Sequence, residues 1–151
     1  MKTDLLASKF YFPPHRQNLV QRPHLLESLD AGLSGKLTLV SAPAGFGKTT
    51  VVSEWIRYCG HPTAWLSLDK NDNDPSRFLV YLIAALQRID PEIGVDVQAA
   101  LEESLSPNFE ILLTRLISEI ERLPDKSIII LDDYHLINSK PIHDVINFLI
   151  E

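Results

Sequence analysis

The residues best suited to chemistry lie in one run, Ala42-Pro43-Ala44-Gly45-Phe46-Gly47-Lys48-Thr49, with Thr50 directly after it. The run fits the phosphate-loop pattern G-x-x-x-x-G-K-[ST], with Ala42 in the place of the first glycine. The residue types answer a physical need. Phosphate oxygens require several backbone N–H donors aimed inward, and the chain must pass close to them. Gly45 and Gly47 allow that approach and the dihedrals it demands. A helix starting at Lys48 directs the positive end of its dipole at the anion. Lys48 then reaches the β- and γ-phosphates, the Thr49 hydroxyl ligates magnesium, and Thr50 contacts the α-phosphate. The expected ligand is a nucleoside triphosphate, ATP with Mg2+. The bland alternative is a glycine turn between strand and helix that binds nothing.

A second signal is the apolar run Ile128-Ile129-Ile130-Leu131 followed by Asp132 and Asp133. Alone it is weak, because many strands end in an acid. Downstream of a phosphate loop it reads as a Walker B pair, since open α/β sheets bind ligands at the carboxyl ends of their strands. Asp132 is the candidate to hold magnesium through water. Asp133 is the candidate to orient or deprotonate an attacking water, which makes it, with Lys48, a candidate catalytic residue.

These side chains need elements to hold them. Pro23 suits the first turn of a helix with Leu25, Leu26, Leu29 and Leu33 on one side, ended by Gly32, Ser34 and Gly35. Leu37 to Val40 reads as a strand leading into the loop. A helix is expected from Lys48 to about Cys59, stopped by Gly60, then a strand over 63–68. Asp74 and Pro75 read as N-cap and first residue of a helix carrying Phe78, Leu79, Leu82, Ile83 and Leu86. An amphipathic piece covers 95–101. Ser106-Pro107 is expected to open a stronger helix with Leu112, Leu113, Leu116 and Ile120 on one face. The run 127–131 is expected to be a strand buried on both faces of a parallel sheet, and a last helix begins near Pro141. Strands alternating with helices predict an α/β fold with a mostly parallel sheet and flanking helices.

The 151 residues carry 14 Lys and Arg against 20 Asp and Glu, a formal net charge of −6. That argues against a nucleic-acid or membrane surface spread over the segment. No apolar run approaches a membrane span and no signal peptide is visible, so a cytoplasmic protein without membrane contact is expected. The lone Cys59 cannot form an internal disulfide and reads as a buried thiol. Trp55 and Trp65 read as core. The acidic turn 69–74 lacks the glycine and distal glutamate of an EF-hand and reads as a solvated turn with an N-cap. His135, after the two acids, reads as structural ahead of any role on the γ-phosphate side.

Together these stretches resemble the large ATP-binding regulators of the LuxR family, of the STAND class of signal-transducing P-loop ATPases. The resemblance rests on 41–50 and on Leu131-Asp132-Asp133-Tyr134-His135. It extends to the arm Ser8-Lys9-Phe10, Pro13 to Arg16 and Val20 to Pro23, and to 65–69, 71–78 and 84–87. It implies a P-loop NTPase fold of AAA+/STAND-like arrangement, incomplete at the C-terminus of these residues. It also implies ATP or ADP as the nucleotide, and places Val20 and Arg22 near the adenine side. It implies an active, self-associating form with ATP, a sensor domain for a small-molecule inducer, and DNA binding through a C-terminal helix-turn-helix. His24 departs from the arginine usual there. The family's later strands, sensor arginine, winged helix, repeats and helix-turn-helix do not occur in these residues. The expectation is therefore an arm over 1–22 leading into a partial NTPase domain over 23–151. Slow ATP hydrolysis is expected of the full-length protein and weak or no hydrolysis of this segment, because the charge-stabilising arginine is missing. The alternatives are a P-loop NTPase or kinase of another class, or a nucleotide-binding piece without hydrolysis. Beyond Arg88 the only arginines in the sequence are Arg115 and Arg122, too few for a kinase lid.

Overall fold

The computed structural model describes residues 5–13, 22–35, 37–39 and 47–150. They fall into two units, one within Met1–Tyr11 and Pro62–Glu151, the other within Phe12–His61.

The first, the sheet unit, is built on two parallel strands, β1 (Thr63–Ser67) and β2 (Ile128–Asp132), in register from Thr63 opposite Ile128 to Ser67 opposite Asp132. Helices α1 (Pro23–Gly32) and α2 (Lys48–Ile56) belong to the other unit, and the crossover between the strands passes through three more: α3 (Pro75–Leu86), α4 (Val95–Glu103) and α5 (Phe109–Glu121). A last helix, α6 (Lys140–Ile150), follows β2. Mixed helices and a small parallel sheet make this an α/β arrangement.

Local chemistry explains most boundaries. Asp74 caps α3, its carboxylate accepting from the Ser76 N–H at 3.1 Å, and Pro75 opens the helix as expected. The α5 helix begins later than Ser106-Pro107. Asn108 is the residue whose side-chain oxygen accepts from a first-turn amide, Ile111 N–H at 3.3 Å, whereas the Ser106 amide turns back to Ser104 Oγ. Gly94 enters α4 at φ 73°, and a Cβ there would lie 2.7 Å from Ile83 Cγ2, so both backbone and packing demand glycine.

The core of this unit joins the inner face of β1 to α3. Leu66, Phe78, Leu82, Ile83, Leu116 and Ile142 are all fully enclosed. At about 1.5–3 kcal/mol for each large apolar side chain buried, this cluster supplies the unit's main stabilisation. Trp65 is buried too, as expected of core. The expectation for β2 needs correction: it is half-buried along its whole length, where burial on both faces was predicted. It pairs with β1 alone among the described residues, and a strand with one neighbour keeps part of its surface open.

The two-helix unit contains α1 (Pro23–Gly32) and α2 (Lys48–Ile56). Trp55 Nε1 donates to Asp30 Oδ1 at 2.7 Å and ties the helices together. Trp55 is buried as expected, but Cys59 is only half-buried, because α2 ends at Ile56 and not near Cys59. Its end is a tight turn in which Tyr58 and Cys59 amides both donate to the Trp55 carbonyl, and Gly60 leaves at φ 73°. The strand expected over 37–40 does not form at the described residues 37–39, and Leu39 is 84% exposed. A strand exists only with a ladder partner, and the described sheet offers this segment none.

Candidate functional site

In the two-helix unit the described part of the predicted phosphate loop is its last turn. Gly47 is the N-cap of α2 at φ 77°, ψ 26°, a left-handed conformation that glycine adopts without the Cβ penalty. Its carbonyl accepts from Val51 N–H at 2.9 Å and starts the helical ladder. Gly47 has no side chain to cap the first turn, and that turn, Lys48-Thr49-Thr50, holds no acid. A cation at the first position of an uncapped helix opposes the dipole. Such an arrangement is poor for an isolated helix and good for an anion site. Ser53 Oγ donates to the Thr49 carbonyl at 2.6 Å, one turn on.

Arg22 lies beside this turn. It is the N-cap of α1, its carbonyl accepting from Leu25 and Leu26 amides, and its two terminal guanidinium nitrogens come within 3.9 and 4.0 Å of where a Cβ on Gly47 would sit. The structure thus brings together Arg22 and Gly47, 25 positions apart in sequence. Ala42, Pro43, Ala44, Gly45, Phe46 and Val20 lie outside the described residues.

Asp132 and Asp133 belong to the sheet unit. Asp132 ends β2, half-buried, and its carbonyl extends the ladder by accepting from Leu68 N–H at 3.0 Å. Asp133 is exposed and takes φ 60°, the one non-glycine residue with positive φ among those described. A left-handed L-residue costs about 1–2 kcal/mol, so the chain here turns sharply at a cost the surroundings must offset. A 3-10 turn, Tyr134–Leu136, follows. The Tyr134 hydroxyl and His143 Nδ1 share a hydrogen bond of 2.5 Å, and burial pushes the Tyr134 phenol's pKa up. His135 is exposed.

What sequence reasoning missed lies at the same edge of the sheet. The turn 69–74 is not simply solvated: Asp72 is 0% exposed. Its carboxylate accepts from Lys9 Nζ, from Arg77 Nε at 3.2 Å and from the Asp69 amide at 2.8 Å. Lys9 also reaches Asp69 Oδ2 at 2.8 Å, and both Lys9 and Arg77 lie 5.1 Å from the Tyr81 ring centre. Burial pulls the Lys9 pKa down, but the hydrogen bonds and charges of Asp69 and Asp72 outweigh it, leaving Lys9 above its usual value. The Lys9 hydrogen bond in turn holds Asp69 below the ordinary carboxylate range. Arg77, five positions beyond Asp72, was a visible local partner. Lys9, 63 positions away, carried no signal a single sequence can show. No cluster of three or more metal-ligating His, Cys, Asp or Glu occurs among the described residues.

No protein-family model matches the chain. Curated proteins to which it is similar are HTH-type transcriptional regulators. The relatives are MalT proteins: 37% identical in Serratia proteamaculans (strain 568), and 34% in Yersinia pestis (strain Pestoides F) and Yersinia pseudotuberculosis (serotype O:3, strain YPIII). Each match covers 146 residues, 97% of this chain and 16% of the relative. The chain is a homologue of the MalT regulators along nearly its whole length and spans about a sixth of theirs.

Proposed function

We propose that this chain is the nucleotide-binding switch module of a MalT-like transcriptional regulator, with a P-loop NTPase fold, taking ATP or ADP with Mg2+. The observation that carries the reading is the turn at Gly47. A left-handed glycine opens an uncapped helix whose first residue is Lys48, and the Arg22 guanidinium stands beside it. This donor set suits a polyphosphate: backbone amides at a helix N-terminus and a lysine. The sequence 42–46 completes the cradle in this reading.

Bound ATP supplies a γ-phosphate whose presence distinguishes two states of the protein. Lys48 and the α2 amides hold its phosphates. Thr49 and Asp132 are the residues to hold magnesium, and Thr50 meets the α-phosphate. Asp133, turned outward by its left-handed backbone, orients the attacking water. Arg22 and Val20 form the nucleoside side in this reading. DNA, an inducer and a second copy of the protein are partners of the complete regulator. No helix among the described residues is long and apolar enough to cross a membrane, and a cytoplasmic location goes with a regulator's role. The relatives, being regulators, do not favour a kinase of another class.

The test is calorimetric titration of the protein in its complete reading frame with Mg-ATP and with ADP, beside Lys48→Ala. Binding by the wild type that Lys48→Ala weakens strongly is expected. Equal affinity in the two proteins sinks the assignment.

A further inference from the structure

We infer that Asn73 is a positioning residue for the loop that carries Asp132 and Asp133, an inference resting on the function proposed above. Because Ser67 and Asp132 are in register, the two strands end side by side, and the segments leaving them emerge at one edge of the sheet. From β1 comes the 3-10 turn Lys70–Asn73, and from β2 comes the loop through Asn138. Asn73 joins them. Its Oδ1 accepts from the Asn138 amide at 2.7 Å, and its Nδ2 donates to the Leu136 carbonyl at 3.1 Å and to the Lys70 carbonyl at 2.9 Å.

This pattern calls for an amide side chain. One partner is a donor and two are acceptors, which fixes the orientation of the amide and excludes a carboxylate, which has no N–H to give. The anchor is firm on its own side. Asp69 and Asp72 form a reciprocal capping box around the turn, and Asp72 is enclosed with Lys9 and Arg77 against it. On the other side stands the strained backbone of Asp133, which needs neighbours that hold it. The Leu136 amide returns to the Asp133 carbonyl at 3.0 Å, so fixing Leu136 and Asn138 fixes the exit of the Asp133 turn. A chain of bonds therefore runs from Lys9, through Asp72 and the 70–73 turn, to Leu136 and the Asp133 carbonyl, one residue beyond Asp132.

The experiment uses the protein in its complete reading frame, with magnesium and a fluorescent ATP analogue as probes. Wild type, Asn73→Ala, Asn73→Asp and Lys48→Ala are compared. Asn73→Ala is expected to speed amide exchange at Asn138 about tenfold. It should also cut the gain in analogue affinity that magnesium brings by about tenfold, leaving magnesium-free affinity unchanged. Asn73→Asp keeps the acceptor for the Asn138 amide but gives no N–H to Leu136 or Lys70, and should restore only part of the protection at Asn138 while the magnesium-dependent gain stays reduced. Changes under twofold in both readouts for Asn73→Ala overturn the inference. So does an equal loss of affinity with and without magnesium, which marks general damage to the fold. Failure of the underlying reading looks different: wild type and Lys48→Ala then take up the analogue equally, and the magnesium role of Asn73 falls with it.

Discussion

In the sheet unit a fully buried carboxylate, Asp72, meets two cations and the Asp69 amide beside a large apolar core. In the two-helix unit, Val51 and Trp55 are the only buried side chains among the described residues, and α1 buries none. The first region satisfies its polar groups from within. The second presents Lys48 at the first position of a helix with no side-chain cap and no acid in its first turn, with the Arg22 guanidinium near Gly47. Regions with few buried apolar contacts lie toward the low-stability end of a fold, where ligand-dependent elements are drawn from. The difference teaches a division of labour: the sheet edge is held by its own charges, and the two-helix unit encloses few side chains at the place where the proposed function puts an anion.

The largest expected effect tests the rigid half. Lys9→Met keeps the stem and removes the charge, leaving buried Asp72 with Arg77 alone. Breaking a buried pair costs about 3–5 kcal/mol, and the remaining guanidinium places this case at about 3. Denaturant unfolding should show that loss in the sheet unit. Next, Lys48→Ala should weaken Mg-ATP binding by about 1.5–3 kcal/mol, roughly 10- to 100-fold, through a lost charge-assisted bond. Its melting temperature without nucleotide should stay unchanged; a large drop would mean that Lys48 is structural. Trp55→Phe removes the bond to Asp30 and should cost about 1 kcal/mol, visible as faster amide exchange in α1 and α2 and not in α3. Asp133→Gly relieves a left-handed residue and should leave stability equal or raise it by up to about 1 kcal/mol, while abolishing any magnesium-dependent ATP turnover. A stabilised and fully active variant would remove Asp133 from the chemistry.

The pH dependence sharpens the same contrast. Asp69 is lowered by its Lys9 hydrogen bond, so the stability it adds is complete above the ordinary value of 3.8 and is lost as pH falls through its lower folded value. Lys9 is raised, so its contribution is complete below 10.5 and is lost as pH climbs through its higher folded value. Both limbs should flatten in Lys9→Met, measured as unfolding free energy against pH. Unchanged limbs would show that the charge lock contributes nothing to titration.

Much of this was open to reading before any coordinates. The helices of 23–32, 75–86 and 109–121 follow from periodicity, and Asp74-Pro75 marked one start to the residue, because caps and apolar stripes are local chemistry. The two strands of the sheet were likewise legible from their composition. Other features were not. The start of α5 went to Asn108, whose oxygen reaches a first-turn amide, over the more conspicuous Ser106-Pro107. The segment 37–39 has the composition of a strand and no ladder, since a strand is a property of a pair.

By itself, then, the sequence determined the glycine-lysine-threonine pattern of a phosphate loop, the acid pair and the α/β alternation, all of which depend on residue type at short spacing. Only the tertiary structure decided that Asp72 is buried with Lys9, that Arg22 stands beside Gly47, and that Asn73 bridges two loops. Those contacts join residues 63, 25 and 65 positions apart. Their partners are chosen by how the chain packs, and side-chain chemistry at each position allows many others.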